Sequence, residues 1–152
     1  MKLYIAYGSN LNIDQMKRRC PDAEIVTTSV INNYQLTFRG NHRGYGVANI
    51  EPKKGATVPV AVWEIKKADE KSLDQYEGFP RFYYKKDFRV RCRYIKSGRV
   101  RTLNTFAYIM DERRQLGVPN GYYINTCLNG YDSFGFDREL IFKAIDKSLN
   151  AR

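Results

Sequence analysis

From Phe88 to Tyr94 the chain alternates without a break. Phe88, Val90, Cys92 and Tyr94 fall on one side, Arg89, Arg91 and Arg93 on the other. A period of two belongs to a strand with one dry face and one wet face. Ser97-Gly98 then supplies a hairpin turn, and Thr102 to Met110 reads as the return strand. An antiparallel pair in mid-chain already rules out an all-helical protein. Other strand-like segments surround it. Lys2 to Tyr7 reads as a buried strand, and residues 24–38 are β-like, with Asn32-Asn33 marking a bend or bulge. Val47 to Ile50 is a short strand, Pro52 to Gly55 a turn, and Val58 to Ile65 a strand whose Pro59 points to an edge position or to the strand's first residues. Arg39 to Gly46, with Asn41 and His42, reads as a polar loop.

Helices are fewer. Asn12 to Cys20 carries Ile13, Met16 and Cys20 on one face, with Asn12 as cap, Gln15 as its capping-box partner and Pro21 as stop. Ala68 to Glu77 is a short helix with Asp69 or Ser72 as cap; Gly78 and Pro80 end it. Tyr123 to Leu128 is helical or extended, and Gly130 and Gly135 break the pattern. Asp137 to Leu149 is a helix capped by Asp137, with Leu140, Ile141, Ala144, Ile145 and Leu149 as its stripe. There is no regular βαβ alternation, repeat or linker. The expected fold is α+β and a single domain over 1–152: a curved, mostly antiparallel sheet or small β-barrel with helices packed outside.

Composition narrows the chemistry. The cysteines, Cys20, Cys92 and Cys127, are odd in number and widely spaced, which argues against a disulfide framework or a zinc site and suits a reducing, cytoplasmic compartment. His42 is the sole histidine, so a metal cluster or a histidine-based nucleophile is disfavoured. No metal and no cofactor is expected. No apolar run spans a membrane. The formal charge of +10 permits nucleic acid, an anionic surface or small anions as partners without choosing among them. Arg89, Arg91 and Arg93 are either a solvated strand face or an anion-attracting one.

Two stretches carry candidate chemistry. Tyr7-Gly8-Ser9-Asn10-Leu11 lies between a strand and a helix start. Such a turn aims backbone N–H groups outward. Gly8 admits close approach, and Ser9 and Asn10 add side-chain hydrogen bonds, so the stretch can seat a carboxylate or phosphate. The plainer alternative is an ordinary tight turn. Glu77 is the second candidate. It shares a helix face with Leu73 and Tyr76, so it is expected to lean inward, at a helix end whose dipole repels negative charge. Both effects raise a carboxyl pKa and suit a general base; the alternative is a solvated Glu at a frayed end. Tyr122 and Tyr123 follow a Gly/Pro loop, and at least one of them is a candidate to reach a cleft.

In their order along residues 2–145 these features resemble the gamma-glutamylcyclotransferase family. The resemblance rests on Tyr7 to Leu11, Met16 to Pro21, Gly46 to Ile50, Val60 to Ile65, Ser72 to Gly78 and the strand after Tyr83. It also rests on Pro119-Asn120-Gly121-Tyr122-Tyr123, seven residues ahead of Gly130. The family often has Pro-Ser where Pro119-Asn120 stands. The resemblance implies a cyclotransferase that makes 5-oxoproline from a small γ-glutamyl amide. It makes Glu77 the catalytic acid/base and Tyr7, Gly8, Ser9, Asn10, Leu11 and Tyr123 the substrate contacts, its spacing favouring Tyr123 over Tyr122. On the same fold the alternatives are a γ-glutamylamine cyclotransferase, a biosynthetic remover of γ-glutamyl groups, or a regulatory protein without catalysis. A basic, tyrosine-rich nucleic-acid-binding module is the alternative from another class; nucleic acid is not the expected partner.

Overall fold

A computed structural model describes residues 1–40, 45–94 and 96–151. Strand β1 (Lys2–Ala6) leads through a 3-10 turn (Ser9–Leu11) into helix α1 (Ile13–Arg19). There follow β2 (Glu24–Gly40), β3 (Gly46–Ile65), α2 (Lys67–Glu77), β4 (Tyr84–Arg93), β5 (Val100–Ile109), α3 (Gly121–Phe134) and α4 (Glu139–Asn150). The strands form one sheet in the order β2-β3-β1-β5-β4. Neighbours run antiparallel except β1 and β5, which are parallel. The class is α+β as expected, and the sheet is mixed and open, not a closed barrel. Its outer strands nonetheless face each other. In β2 the hydroxyls of Thr27 and Ser29 donate to the carbonyls of Arg93 and Arg91 in β4, at 2.6 and 2.7 Å. The seam is side chain to backbone, so no ladder closes the ring.

β1 is central because its residues can be dry on both faces: Tyr4, Ile5 and Ala6 are all buried. Met16 of α1, Leu73 of α2, Tyr131 of α3 and Ile141 of α4 dock into the same core, each essentially inaccessible. Fully burying one such side chain contributes roughly 1.5–3 kcal/mol. In α4, Ile141, Ala144 and Ser148 face inward, with Ser148 Oγ donating to Phe38 O of β2 at 3.3 Å. Leu149, expected on that stripe, is exposed. Phe88, Val90 and Cys92 point inward and Arg89, Arg91 and Arg93 outward, as the alternation requires; Tyr94 lies just past the end of β4. No helix among the described residues is long and apolar enough to cross a membrane.

Several local expectations need correction. Pro52 to Gly55 is not a turn, since β3 runs through it unbroken. The register shows why: residues 53–56 of β3 stand against Asn33 (φ 62°) alone, between the pairs Asn32–Thr57 and Tyr34–Pro52, and Asn33 Oδ1 accepts the Gly55 N–H at 3.0 Å, so β3 bulges there and continues. Pro59 pairs with Val30 of β2 beyond the reach of β1, which ends opposite Ala61, so it is locally at an edge. Asp69 is not the α2 cap residue; it serves from inside the first turn, accepting the Lys66 N–H. Asp137 likewise accepts the Glu139 N–H ahead of α4. Strand β2 extends through Arg39 and Gly40, and β3 starts at Gly46. Asn41 and His42 lie outside the described residues. Gly130 does not break α3: the helix passes through it and ends at Gly135, which takes the left-handed conformation.

Candidate active site

The local folding of Tyr7 to Leu11 follows from its glycine and its cap. Gly8 closes on Leu11 through Leu11 N–H to Gly8 O at 3.0 Å. Asn12 Oδ1 then accepts the Gln15 N–H at 3.1 Å and starts α1. The reciprocal half of the capping box is not made; the Gln15 side chain turns to Tyr122 and Thr126. The N–H groups of Gly8, Ser9 and Asn10 have no acceptor among the described residues. A Cβ on Gly8 would stand 2.7 Å from the Cβ of Ala48, so the loop lies flush on β3 only because residue 8 has no side chain.

This loop forms one wall of a pocket of about 480 Å³. Opposite it stand the end of α2, with Gln75 to Gly78, and Tyr83; Tyr4 of β1, Val47 and Ala48 of β3, Tyr108 of β5 and Tyr123 of α3 also line it. Tyr7, Gly8, Ser9, Asn10, Glu77 and Tyr123 therefore face one space. Leu11 does not. It is fully buried beneath α3, where a Cβ on Gly130 would come within 2.7 Å of its Cβ. Leu11 is the loop's anchor rather than a lining residue. Tyr122 is 73% exposed, its hydroxyl accepting from Gln15 Nε2, and lies outside the lining.

Tyr123 is aimed inward by its helix cap. Asn120 Oδ1 accepts the Tyr123 N–H at 2.8 Å, the task a serine would perform at that position. Its own hydroxyl accepts the Ala48 N–H at 2.9 Å, while Tyr83 donates to the Ala48 carbonyl at 2.6 Å. Two phenols thus clasp one residue of β3, the residue on which Gly8 rests. Tyr7 donates to Tyr108 O, and Tyr108 to Asp74 Oδ1. These phenols are already engaged, and burial pushes the pKa of each well above its ordinary value. They offer faces and edges to a ligand, not acidic protons.

Glu77 is the last residue of α2, before Gly78 in the left-handed conformation. Asn10 Nδ2 lies 3.4 Å from its Oε1 and also donates to the Tyr4 hydroxyl at 2.9 Å. Burial pushes the Glu77 carboxyl up to about 8, against a smaller downward pull from Arg19. Of the two effects expected to raise it, loss of water is the one that acts. Tyr76 departs from expectation: it is 44% exposed and forms the pocket edge, its hydroxyl 3.1 Å from Ser9 Oγ. Sequence reasoning missed Tyr4, Tyr83, Tyr108 and Arg19. Each is local to an ordinary strand or helix or, for Tyr83, to the bend ahead of β4, and only the tertiary fold brings them together. The three cysteines are buried and free.

The geometry can now be set beside known proteins. The sequence profile of the family described as gamma-glutamyl cyclotransferase, AIG2-like matches residues 4–125. The chain belongs to this family. Human and Bos taurus proteins named gamma-glutamylcyclotransferase are each 35% identical to it over 83 residues, 50% of this chain and 44% of theirs. The chain thus spans under half the length of these curated relatives. A solved gamma-glutamyl cyclotransferase superposes with a TM-score of 0.78 at 23% identity, over 94% of this chain and 85% of that one, and so shares the fold. An uncharacterised human protein superposes equally well, at 25% identity and the same coverage. Both ends of the pocket, the Tyr7 loop and Glu77, fall inside the matched span.

Proposed function

We propose that this chain is a gamma-glutamylcyclotransferase, in which Glu77 moves the proton and the Gly8–Asn10 loop receives the glutamyl end. The observation that carries this reading is a desolvated carboxyl facing unpaired backbone N–H donors across one small pocket. In the reaction the substrate's α-amine attacks its own γ-carbonyl. A C–N bond closes a five-membered ring, the amide C–N bond breaks, and 5-oxoproline and a free amine result. Both reacting groups belong to one molecule, so the enzyme's first task is to fold it, and the walls of Tyr7, Tyr83 and Tyr123 are suited to that. Glu77 as carboxylate takes a proton from the ammonium and returns it to the departing nitrogen. The N–H groups of Gly8, Ser9 and Asn10 are donors for the α-carboxylate and the developing oxyanion. The chemistry draws on no enzyme nucleophile or cofactor. We place it in the cytoplasm, where free thiols such as those of Cys20, Cys92 and Cys127 persist.

The test is release of 5-oxoproline from a panel of γ-glutamyl amides whose leaving groups are amino acids, small alkylamines and the lysine side-chain amine. The profile against pH is the sharper half. Because the active form pairs ionised Glu77 with a substrate ammonium, kcat/KM is expected to rise about tenfold per pH unit up to about 8 and to fall again as the substrate's amine deprotonates. A flat profile between pH 6 and 8 would remove Glu77 as the base. Absence of product across the panel would remove the activity. Ser9→Ala deletes the hydroxyl that meets Tyr76 at the pocket edge. The expected result is a KM raised about three- to tenfold with kcat less affected, the size of one polar contact. Unchanged kinetics would make Ser9 part of the turn only.

A further inference from the structure

The Arg19 side chain, at the end of α1, has three partners converging from different elements. Its Nη1 donates to Asn10 Oδ1 at 2.5 Å, its Nη2 donates to Gln15 Oε1 at 2.6 Å, and its guanidinium carbon lies 3.5 Å from the centre of the Tyr76 ring. A carboxamide has one accepting end and one donating end. A guanidinium can only donate. Arg19 therefore requires the Asn10 oxygen to face it, which leaves Nδ2 for Glu77 and Tyr4. With Arg19 gone, the amide can turn and set its oxygen against the Glu77 carboxylate. We propose, building on the cyclotransferase reading, that Arg19 is a positioning residue: its planar fork fixes the Asn10 amide and the Tyr76 ring and so biases Glu77 toward its proton-accepting form.

The charged surroundings support this assignment. Glu77 is faced by Tyr4 from β1, Tyr7 from the loop, Tyr76 from its own helix, Tyr83 ahead of β4, Tyr108 from β5 and Tyr123 from α3. Burial holds all six phenols neutral at physiological pH. The Cys127 thiol on α3 is also neutral, pushed up to about 12 by burial. Asp74 on α2 is engaged by Lys85 and by the Tyr108 hydroxyl. Among the described residues, the Arg19 guanidinium is the cation that acts on Glu77, in the direction that favours the carboxylate. Lysine could keep the charge but not the fork, so the two contributions can be separated.

The experiment titrates the Glu77 carboxyl carbon by NMR in wild type, Arg19→Met and Arg19→Lys, the signal being assigned by its loss in Glu77→Gln. Melting curves confirm that each variant is folded. In Arg19→Met the midpoint is expected to move up by about one unit, with kcat/KM at pH 7 about tenfold lower and recovering above the new midpoint. In Arg19→Lys a smaller shift with a lowered kcat at every pH is expected, because the charge remains while the amide is freed. A folded Arg19→Met whose Glu77 midpoint and pH profile match wild type would overturn the proposal and leave Arg19 a packing residue. If Arg19→Met does not fold, Arg19→Lys decides: wild-type kcat there overturns the proposal. A titration that moves while wild type releases no 5-oxoproline would leave Arg19's hold on Glu77 standing and remove the cyclotransferase reading.

Discussion

Glu77→Gln is expected to lose turnover by a factor of about 10²–10⁴, the range for removing a general base, and at the same time to melt higher than wild type above pH 8. The two halves have one cause. The folded protein holds the Glu77 carboxyl to about 8, against 4.5 for an ordinary glutamate. Between those values the folded chain keeps a proton that the unfolded chain releases, so stability falls as pH rises through that window and is lost in full above about 8. Glutamine does not titrate and keeps the acceptor that meets Asn10. Its advantage is therefore absent below pH 4.5 and complete above the folded value. The full shift would be nearly 5 kcal/mol at about 1.4 kcal/mol per unit, but the side chain is only half-buried, and screening through the pocket mouth reduces this to about 2 kcal/mol. For a chain of this length that is a rise of several degrees. Melts at pH 5 and pH 8.5, alongside 5-oxoproline assays, check both halves. Equal melting at both pH values would mean the carboxyl is not desolvated, and retained turnover would remove it from the chemistry.

Gly130→Ala is expected to lower stability and to impair substrate binding, though glycine to alanine inside a helix ordinarily stabilises by up to about 1 kcal/mol. Here α3 lies directly on the substrate loop. An added Cβ would meet the Leu11 carbonyl carbon at 2.6 Å and the Asn12 nitrogen at 2.8 Å. Backbone atoms cannot rotate away, so the helix or the loop must shift. Overpacking of this kind costs about 1–3 kcal/mol, which outweighs the propensity gain. The displaced loop carries Gly8 to Asn10, so KM should rise along with the fall in melting temperature. A variant at least as stable as wild type with an unchanged KM would show that α3 does not hold the loop in place.

What could be read from the sequence divides along a physical line. Short-range patterns were legible: the alternation of β4, the Asn12 cap, the stop at Gly78, and a glutamate placed on an apolar helix face. Each is decided by neighbours within about four residues. Pairings across the sheet were not legible. Pro52 to Gly55 has turn chemistry, but pairing with β2 on either side turns it into a bulge of β3 against Asn33. Gly130 looked like a break because nothing in its own helix says that Leu11 will press on it. Tyr4, Tyr83 and Tyr108 look like ordinary aromatic residues in or beside strands until the order β3-β1-β5 and the turn after α2 bring them round Glu77. Arg19, in the last turn of α1, reads locally as compensation of the helix dipole, and its contacts with Asn10 and Tyr76 come only with the fold.

The seam between β2 and β4 has a consequence for how molecules of this protein behave toward one another. An open sheet exposes two edges, and unpaired strand edges are templates for adding a strand from another molecule. Here the hydroxyls of Thr27 and Ser29 already occupy the carbonyls of Arg93 and Arg91. The arginine side chains on that strand, Arg89, Arg91 and Arg93, are exposed. The β2 hydroxyls cap part of the β4 edge, and positive charge guards the join. The sheet keeps the open curvature that shapes the pocket and yet resists the edge-to-edge aggregation to which open sheets are prone.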